Sequence, residues 1–165
     1  MTRRHNTIST DSNGAKKKIF VVASFGGHWI QLLQIARGLE PFYDIIYCTT
    51  NDKCAHMIPG HELHSISDFS RSNMWRIPKS LSKLMGMMKR IRPEAVITTG
   101  AAPGLMAIIA AKLCGIKTIW VDSVANAEHL SGSGKVARHI ANHVYTQWPD
   151  IADGKSIIYK GSIFG

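Results

Sequence analysis

Short apolar runs alternate along this chain with stretches whose apolar residues recur every three to four positions. That alternation predicts βαβ units and a parallel sheet. The first run covers 19–23 (IFVVA), followed by Ser24-Phe25-Gly26-Gly27-His28 and helical spacing to about Leu39, closed by Gly38 and Pro41. A second run spans 45–49 (IIYCT), and a shorter third covers 63–66, after a segment broken at Pro59-Gly60. Helical spacing resumes near Pro78 and stops before Pro93, because a residue preceding proline resists the helical conformation. A strand at 95–99 (AVITT), an apolar helix at 104–114 ended by Gly115 and a strand at 118–122 (TIWVD) come next. Beyond a polar loop the pattern predicts a helix at 135–141 and strands at 143–146 and 156–159. No repeat or linker divides the chain, so the expectation is one doubly wound α/β domain over 16–165. Ahead of it, the Ser, Thr, Asn and Gly content of 1–15 predicts a disordered tail.

Composition changes the picture in one respect. The 165 residues suffice for one core, and 45% apolar with 19% charged is an ordinary globular balance. Twenty Lys and Arg against eleven Asp and Glu, however, give a net charge of +9. Such an excess favours nucleic acid, an anionic membrane surface or phosphorylated substrates. The basic residues are not interleaved with stacking aromatics and no nucleic-acid motif occurs, which argues against the first. Cys48, Cys54 and Cys114 form no CxxC pair and are odd in number, as expected of reduced thiols in a cytosolic protein. His56, His61 and His64 lack a second ligand cluster and read as surface residues, so no metal is expected. The longest apolar run, 105–111, is far short of the ~20 residues needed to cross a bilayer, and 1–18 has no apolar signal core.

Candidate chemistry gathers in three loops that follow strands, where an open parallel sheet binds its ligands. In the first, Gly26 and Gly27 let backbone approach a ligand at a helix start that favours an anion, with His28 beside them. Neither a GxGxxG fingerprint nor a Walker loop is present, which argues against NAD and ATP. The second, Thr98-Thr99-Gly100-Ala101-Ala102-Pro103-Gly104, has small residues and two hydroxyls suited to amides facing a ligand. The third runs from Asp122-Ser123 through Asn126, Glu128, His129 and Ser131 to Gly134. Ordinary strand-to-helix turns and capping would explain the first two, whereas the third gathers carboxylates, a histidine and hydroxyls that a mere connector would not need; three such loops on one edge predict a cleft.

Segment 71–92 carries Arg71, Arg76, Lys79, Lys83, Lys89, Arg90 and Arg92 and no acidic residue. On a helical wheel Met74, Ile77, Leu81, Leu84, Met85, Met88 and Ile91 share one side, opposite Arg76, Lys79, Lys83 and Arg90. With Trp75 at one end, this matches a helix lying in an anionic membrane interface, or a core helix with a solvated basic face.

The stretches SFGGHWIQLLQIARGL, TTGAAPGL, WVDSVANAEHLSGSGKVARHIANHVYTQWPDI and YKGSIFG resemble the PssD-like oligosaccharide biosynthesis proteins, over about residues 16–165. The resemblance implies a split GT-B glycosyltransferase, with this chain as its N-terminal, Rossmann-like, acceptor-binding half. It implies a partner supplying the C-terminal half and most contacts to a UDP-sugar donor, and an acceptor that is a lipid-linked polyprenyl diphosphate saccharide. No other cofactor is implied. Gly26, Gly27 and His28 match the family's glycine-histidine loop, and Gly100 and Gly104 its second glycine-rich loop. Asp122 and Ser123 match a motif that is more often Glu-Ser. The eukaryotic members' N-terminal membrane helix has no counterpart, so the expected setting is bacterial exopolysaccharide or capsule synthesis, on the inner face of the plasma membrane. A non-catalytic anchor that recruits an active partner is the alternative.

GT-B chemistry then needs a base for the acceptor hydroxyl. His28 is the first candidate, since imidazole can exchange a proton near neutral pH, with Asp122 and Glu128 as rivals. Gly26, Gly27, Thr99, Gly100, Gly104, Ser123 and Asn126 would hold the acceptor and its phosphates. Trp75, Arg76, Lys79, Lys83, Lys89 and Arg90 would meet the membrane.

Overall fold

A computed structural model describes residues 9–67 and 75–164. Seven parallel strands form one sheet in the order β3-β2-β1-β4-β5-β6-β7. In chain order these are β1 (Lys18–Ala23), β2 (Asp44–Thr49), β3 (Leu63–Ser65), β4 (Ala95–Thr98), β5 (Lys117–Val121), β6 (His143–Thr146) and β7 (Ile158–Tyr159). Helices α1 (Gly27–Leu39), α2 (Ile77–Ile91), α3 (Ala101–Leu113) and α4 (Gly132–Ala137) connect them. The chain runs outward from β1 to β3, then returns to add β4 on the other side of β1. Strand order therefore reverses between β1 and β4, which is where such sheets bind ligands.

The central strands read as unbroken apolar runs because both their faces are covered. On one face Ile19, Val21, Ala23, Ile45 and Tyr47 pack under Trp29, Leu32, Leu33 and Ala36 of α1. On the other, Phe20, Val22, Ile46 and Val96 pack under α2 and α3. A third cluster joins Ile108, Trp120, Val144 and Ala137, seating α4 beside α3. This is the doubly wound, Rossmann-like fold expected from the sequence.

The strands expected at 63–66, 95–99, 118–122 and 156–159 run over Leu63–Ser65, Ala95–Thr98, Lys117–Val121 and Ile158–Tyr159, and two helices and one turn differ further. Helix α3 begins at Ala101 rather than residue 104, because Pro103 falls in the first turn, where a missing amide proton leaves no intrahelical bond unmade. The helix expected at 135–141 occupies Gly132–Ala137 instead. Its start is set by Ser131, whose hydroxyl accepts from the Gly134 amide, and this cap outweighs the poor helix propensity of two glycines. A 3-10 turn at Asp52–Met57, capped by Asn51, occupies the segment ahead of Pro59-Gly60, for which no element was expected. Of the expected tail, residues 1–8 lie outside the described residues; Thr10 bridges Lys16 across a small turn.

For the amphipathic segment the structure favours the second reading, a core helix with a solvated basic side. The apolar side of α2 is not turned outward: Leu84, Met87, Met88 and Ile91 are buried in the sheet core, with Ile77, Leu81 and Met85 packed beside them. Burying each such side chain is favourable by roughly 1.5–3 kcal/mol. A helix rolled toward lipid would lose that along with its packing against α3. The basic side remains exposed, and Lys83 donates from Nζ to the carbonyl of Ser65 at 2.8 Å. Trp75 is 73% exposed with the Arg76 guanidinium 4.9 Å above its ring. Arg71 and Met74 lie outside the described residues. Two of the histidines expected at the surface are also partly packed: His61 sits edge-on to Tyr47, and His64 lies against Phe20.

Candidate functional site

The loops after β1 and β4 meet at the reversal point and are fastened to one another. His28, in the first turn of α1, directs Nδ1 at the carbonyl oxygen of Thr99, 2.8 Å away. Thr99 Oγ1 donates in return to the His28 carbonyl at 2.6 Å. A carbonyl oxygen can only accept, so Nδ1 carries the proton, and the lone pair of the neutral ring is on Nε2.

Backbone geometry opens both helix starts toward this point. Gly26 (φ 111°, ψ −143°) precedes α1 and Gly100 (φ 127°, ψ −163°) precedes α3. Both lie in a region that only glycine occupies without strain. Neither helix has a side-chain cap or an acidic residue in its first turn. Two neighbouring helix N-termini therefore present amides and positive dipole ends along one edge. Ala101, at φ 61°, is held in a left-handed conformation immediately after Gly100. Gly100 also has a steric role, since a Cβ there would lie 2.8 Å from His28 Cε1 and 3.0 Å from Nδ1. Gly104 differs from the others in the second loop: a Cβ there would overlap Thr98 Oγ1, so it is a packing glycine that seats α3 on β4.

The loop after β5 is organised by Asp122, 2% exposed. Its Oδ1 accepts from Trp120 Nε1 at 2.9 Å and Ser131 Oγ at 2.7 Å. Its Oδ2 accepts from the Ser131 amide at 2.9 Å and Asn126 Nδ2 at 3.2 Å. Gly134 closes the arrangement, because a Cβ there would lie 2.6 Å from Asp122 Oδ1. Both oxygens are engaged by the protein itself, so this carboxylate shapes the loop and has no free lone pair directed at a substrate. Asn126 is partly consumed in the same network. The Glu128 side chain is 87% exposed, with an oxygen 3.8 Å from His129 Nε2. Of the three candidate bases, His28 alone has an uncommitted basic atom at the reversal point.

Sequence reasoning overlooked Gln31. It is 4% exposed, and its Nε2 donates to Ser123 Oγ at 3.1 Å. The available signal was its spacing three residues after His28, which places both on one side of α1. Further along the edge, Trp148 Nε1 donates to the Val124 carbonyl at 2.8 Å, and Gln147 Oε1 accepts from the Ile163 amide at 2.9 Å. On the other flank the Phe25 amide donates to Thr50 Oγ1 at 3.1 Å. The loops at the carboxyl ends of the strands are thus stitched in sequence from β2 round to the C-terminal segment.

A cavity of about 710 Å³ lies at the opposite edge, where Lys16, Lys18, Arg92, Asp44 and Glu94 line the amino ends of the strands. Its charges are of both signs and it has no helix start, so the site is placed at the carboxyl edge. Among the described residues, no group of three or more His, Cys, Asp or Glu could hold a metal ion. No helix there is long and apolar enough to cross a membrane.

No family model matches the chain. It is 28% identical over 178 residues to the UDP-N-acetylglucosamine transferase subunit ALG14 of Homo sapiens, covering 88% of this chain and 82% of that protein. With the Mus musculus protein of the same name it shares 24% over 181 residues, at the same coverage. Among solved structures, Acinetobacter baumannii MurG superposes with a TM-score of 0.74 at 18% identity, covering 87% of this chain. A UDP-GlcNAc 2-epimerase from Methanocaldococcus jannaschii superposes at 0.67 and 17% identity, covering 88%. The chain spans 45% of the length of each of these two structures. Its fold is that of one Rossmann-like half of such enzymes, and its curated relatives are glycosyltransferase subunits.

Proposed function

We propose that this chain is the acceptor-side subunit of a two-component glycosyltransferase, working with a partner that holds most of a UDP-sugar donor. The observation that carries the reading is the reciprocal pairing of His28 and Thr99 between two uncapped helix starts. An acceptor diphosphate lies against the amides that follow Gly26 and Gly100, where two dipoles offset its charge. Gly27 and Ser123 border the same place. The acceptor hydroxyl gives its proton to His28 Nε2 as its oxygen bonds to the anomeric carbon and the nucleoside diphosphate departs with the bonding pair. The Thr99 carbonyl stabilises the resulting imidazolium through Nδ1–H. The names of the curated relatives favour N-acetylglucosamine as the transferred sugar. A polyprenyl diphosphate saccharide as acceptor, bacterial exopolysaccharide or capsule synthesis as the pathway, and the inner face of the plasma membrane as the location complete the proposal. The exposed basic side of α2 and Trp75 would make the membrane contact.

The second reading is a non-catalytic anchor that recruits and activates its partner, and one observation favours it. Asp122 is consumed in its own loop and Glu128 points to solvent, so catalysis by this chain rests on His28 alone. Sugar transfer onto lipid-linked acceptor, assayed with this chain, its partner and both together, decides between them. Activity only in the mixture, lost with His28→Ala, supports the catalytic reading. Full activity from the partner alone on a soluble acceptor supports the anchor.

A further inference from the structure

Gln31 is an expensive residue to keep where it stands. Its side chain is almost wholly buried on the inner side of α1, and Oε1 is buried with no hydrogen-bond partner. An unsatisfied buried acceptor costs about 1–3 kcal/mol. An apolar residue of the same volume would remove that cost, so packing alone does not account for an amide there.

What the amide does is span the mouth of the sheet. Gln31 Nε2 reaches Ser123 Oγ, 92 residues away in the chain, in the loop after β5. Between its helix and that loop lies the end of β4, whose Ala95 and Ile97 are buried in the same cluster as the α1 side chains. One turn earlier, His28 fastens the same helix to the loop after β4. Two side chains on one side of α1 therefore tie it to both neighbouring loops. Ser123 Oγ also accepts from the Ala125 amide at 3.3 Å, so the serine passes the tether on to the backbone of its loop.

We infer that Gln31 is a positioning residue: through Ser123 it fixes the distance between His28 on α1 and the Asp122–Asn126 loop across the acceptor cleft. The inference rests on the transferase reading above. Gln31 does not touch the reacting atoms. It acts by holding the loop that faces them, so its loss lowers turnover without altering donor binding.

The experiment compares Gln31→Leu, which keeps volume but makes no bond, with Gln31→Glu, which keeps an oxygen at the same reach for the Ser123 hydroxyl. Two readouts are taken on the full chain. In the assembled transferase, Gln31→Leu is expected to lower kcat at least tenfold with KM for the UDP-sugar within twofold, and Gln31→Glu to restore kcat to within threefold. In this chain alone, amide exchange at 123–126 is expected to quicken at least fivefold in Gln31→Leu and to recover in Gln31→Glu. Tm is expected not to be lowered in Gln31→Leu, which removes the unpartnered acceptor, and to be lowered in Gln31→Glu, which buries a carboxylate. Exchange that is the same in Gln31→Leu and wild type overturns the tether, as does a loss of kcat that Gln31→Glu fails to restore. A wild-type mixture that transfers no sugar removes the transferase reading instead, and the exchange comparison still decides the tether.

Discussion

His28 Nδ1 donates to the Thr99 carbonyl at 2.8 Å while Thr99 Oγ1 donates back to the His28 carbonyl at 2.6 Å, so one residue pair fixes both the ring and the loop that faces it. A base held in this way needs no reorganisation before it accepts a proton. Replacing His28 with alanine is expected to lower kcat of the assembled transferase by roughly 10²–10⁴, the usual contribution of a positioned general base. His28→Asn, whose Nδ2 stands where Nδ1 does and can still donate to Thr99, is expected to keep the fold and lose turnover equally. Activity within a few-fold of wild type in both variants would contradict the base assignment.

Gly100 lies under that ring. Gly100→Ala places a methyl 2.8 Å from His28 Cε1 on a backbone at φ 127°, so both the ring and the loop must shift. The expected cost is about 1–3 kcal/mol of stability, read as a lower denaturant midpoint, with a loss of turnover larger than that decline explains.

Asp122 is expected to behave as a structural carboxylate. Asp122→Asn replaces one acceptor oxygen by an NH₂ group facing donors from Trp120, Ser131 or Asn126. Destabilisation of about 2–4 kcal/mol is expected from equilibrium unfolding, since buried bonds to a charged group are worth about 1.5–3 kcal/mol each. An Asp122→Asn protein as stable as wild type but inactive would return the residue to the list of bases.

The basic side of α2 predicts charge-dependent binding to vesicles of phosphatidylcholine with anionic lipid, and none to neutral vesicles. Each basic residue near such a surface contributes about 1 kcal/mol, so removing Lys79 or Arg90 singly is expected to weaken binding about fivefold, and raised salt to weaken it further. Trp75→Ala is expected to reduce the binding that persists at high salt. Equal binding to neutral vesicles would remove this surface from the proposal.

Burial pushes the Cys48 thiol up to about 12 and raises that of Cys54 as well. A thiol raised in the folded state stays protonated when the unfolded chain's, near 8.5, ionises. Stability supplied by these groups is therefore complete below about pH 8.5 and declines as pH rises above it. Native protein is expected to react with a thiol reagent at Cys114, which is partly exposed, and at all three cysteines only in denaturant. Rapid native labelling of Cys48 would show that the core opens.

The sequence by itself determined the strand and helix order, because apolar periodicity is a local property that burial on one or both faces imposes. It also placed the three loops at one edge and picked out His28, Gly26 and Gly100, since glycine pairs beside a histidine after an apolar run are readable without coordinates. What it left open was which candidates are free to act. Asp122 and Glu128 look alike as carboxylates, yet one is enclosed by four donors and the other stands in solvent. Gly100 and Gly104 look alike as glycines, yet one makes room for a ring and the other for a packed strand. The apolar side of α2 suits lipid or core equally well on a helical wheel, and only its burial in the core cluster it shares with α3 chooses between them. Gln31 was marked only by its spacing from His28, because its partner is 92 residues away. Tertiary structure decided these points because hydrogen bonds and packing depend on which distant residues share a site, and periodicity along the chain does not carry that information.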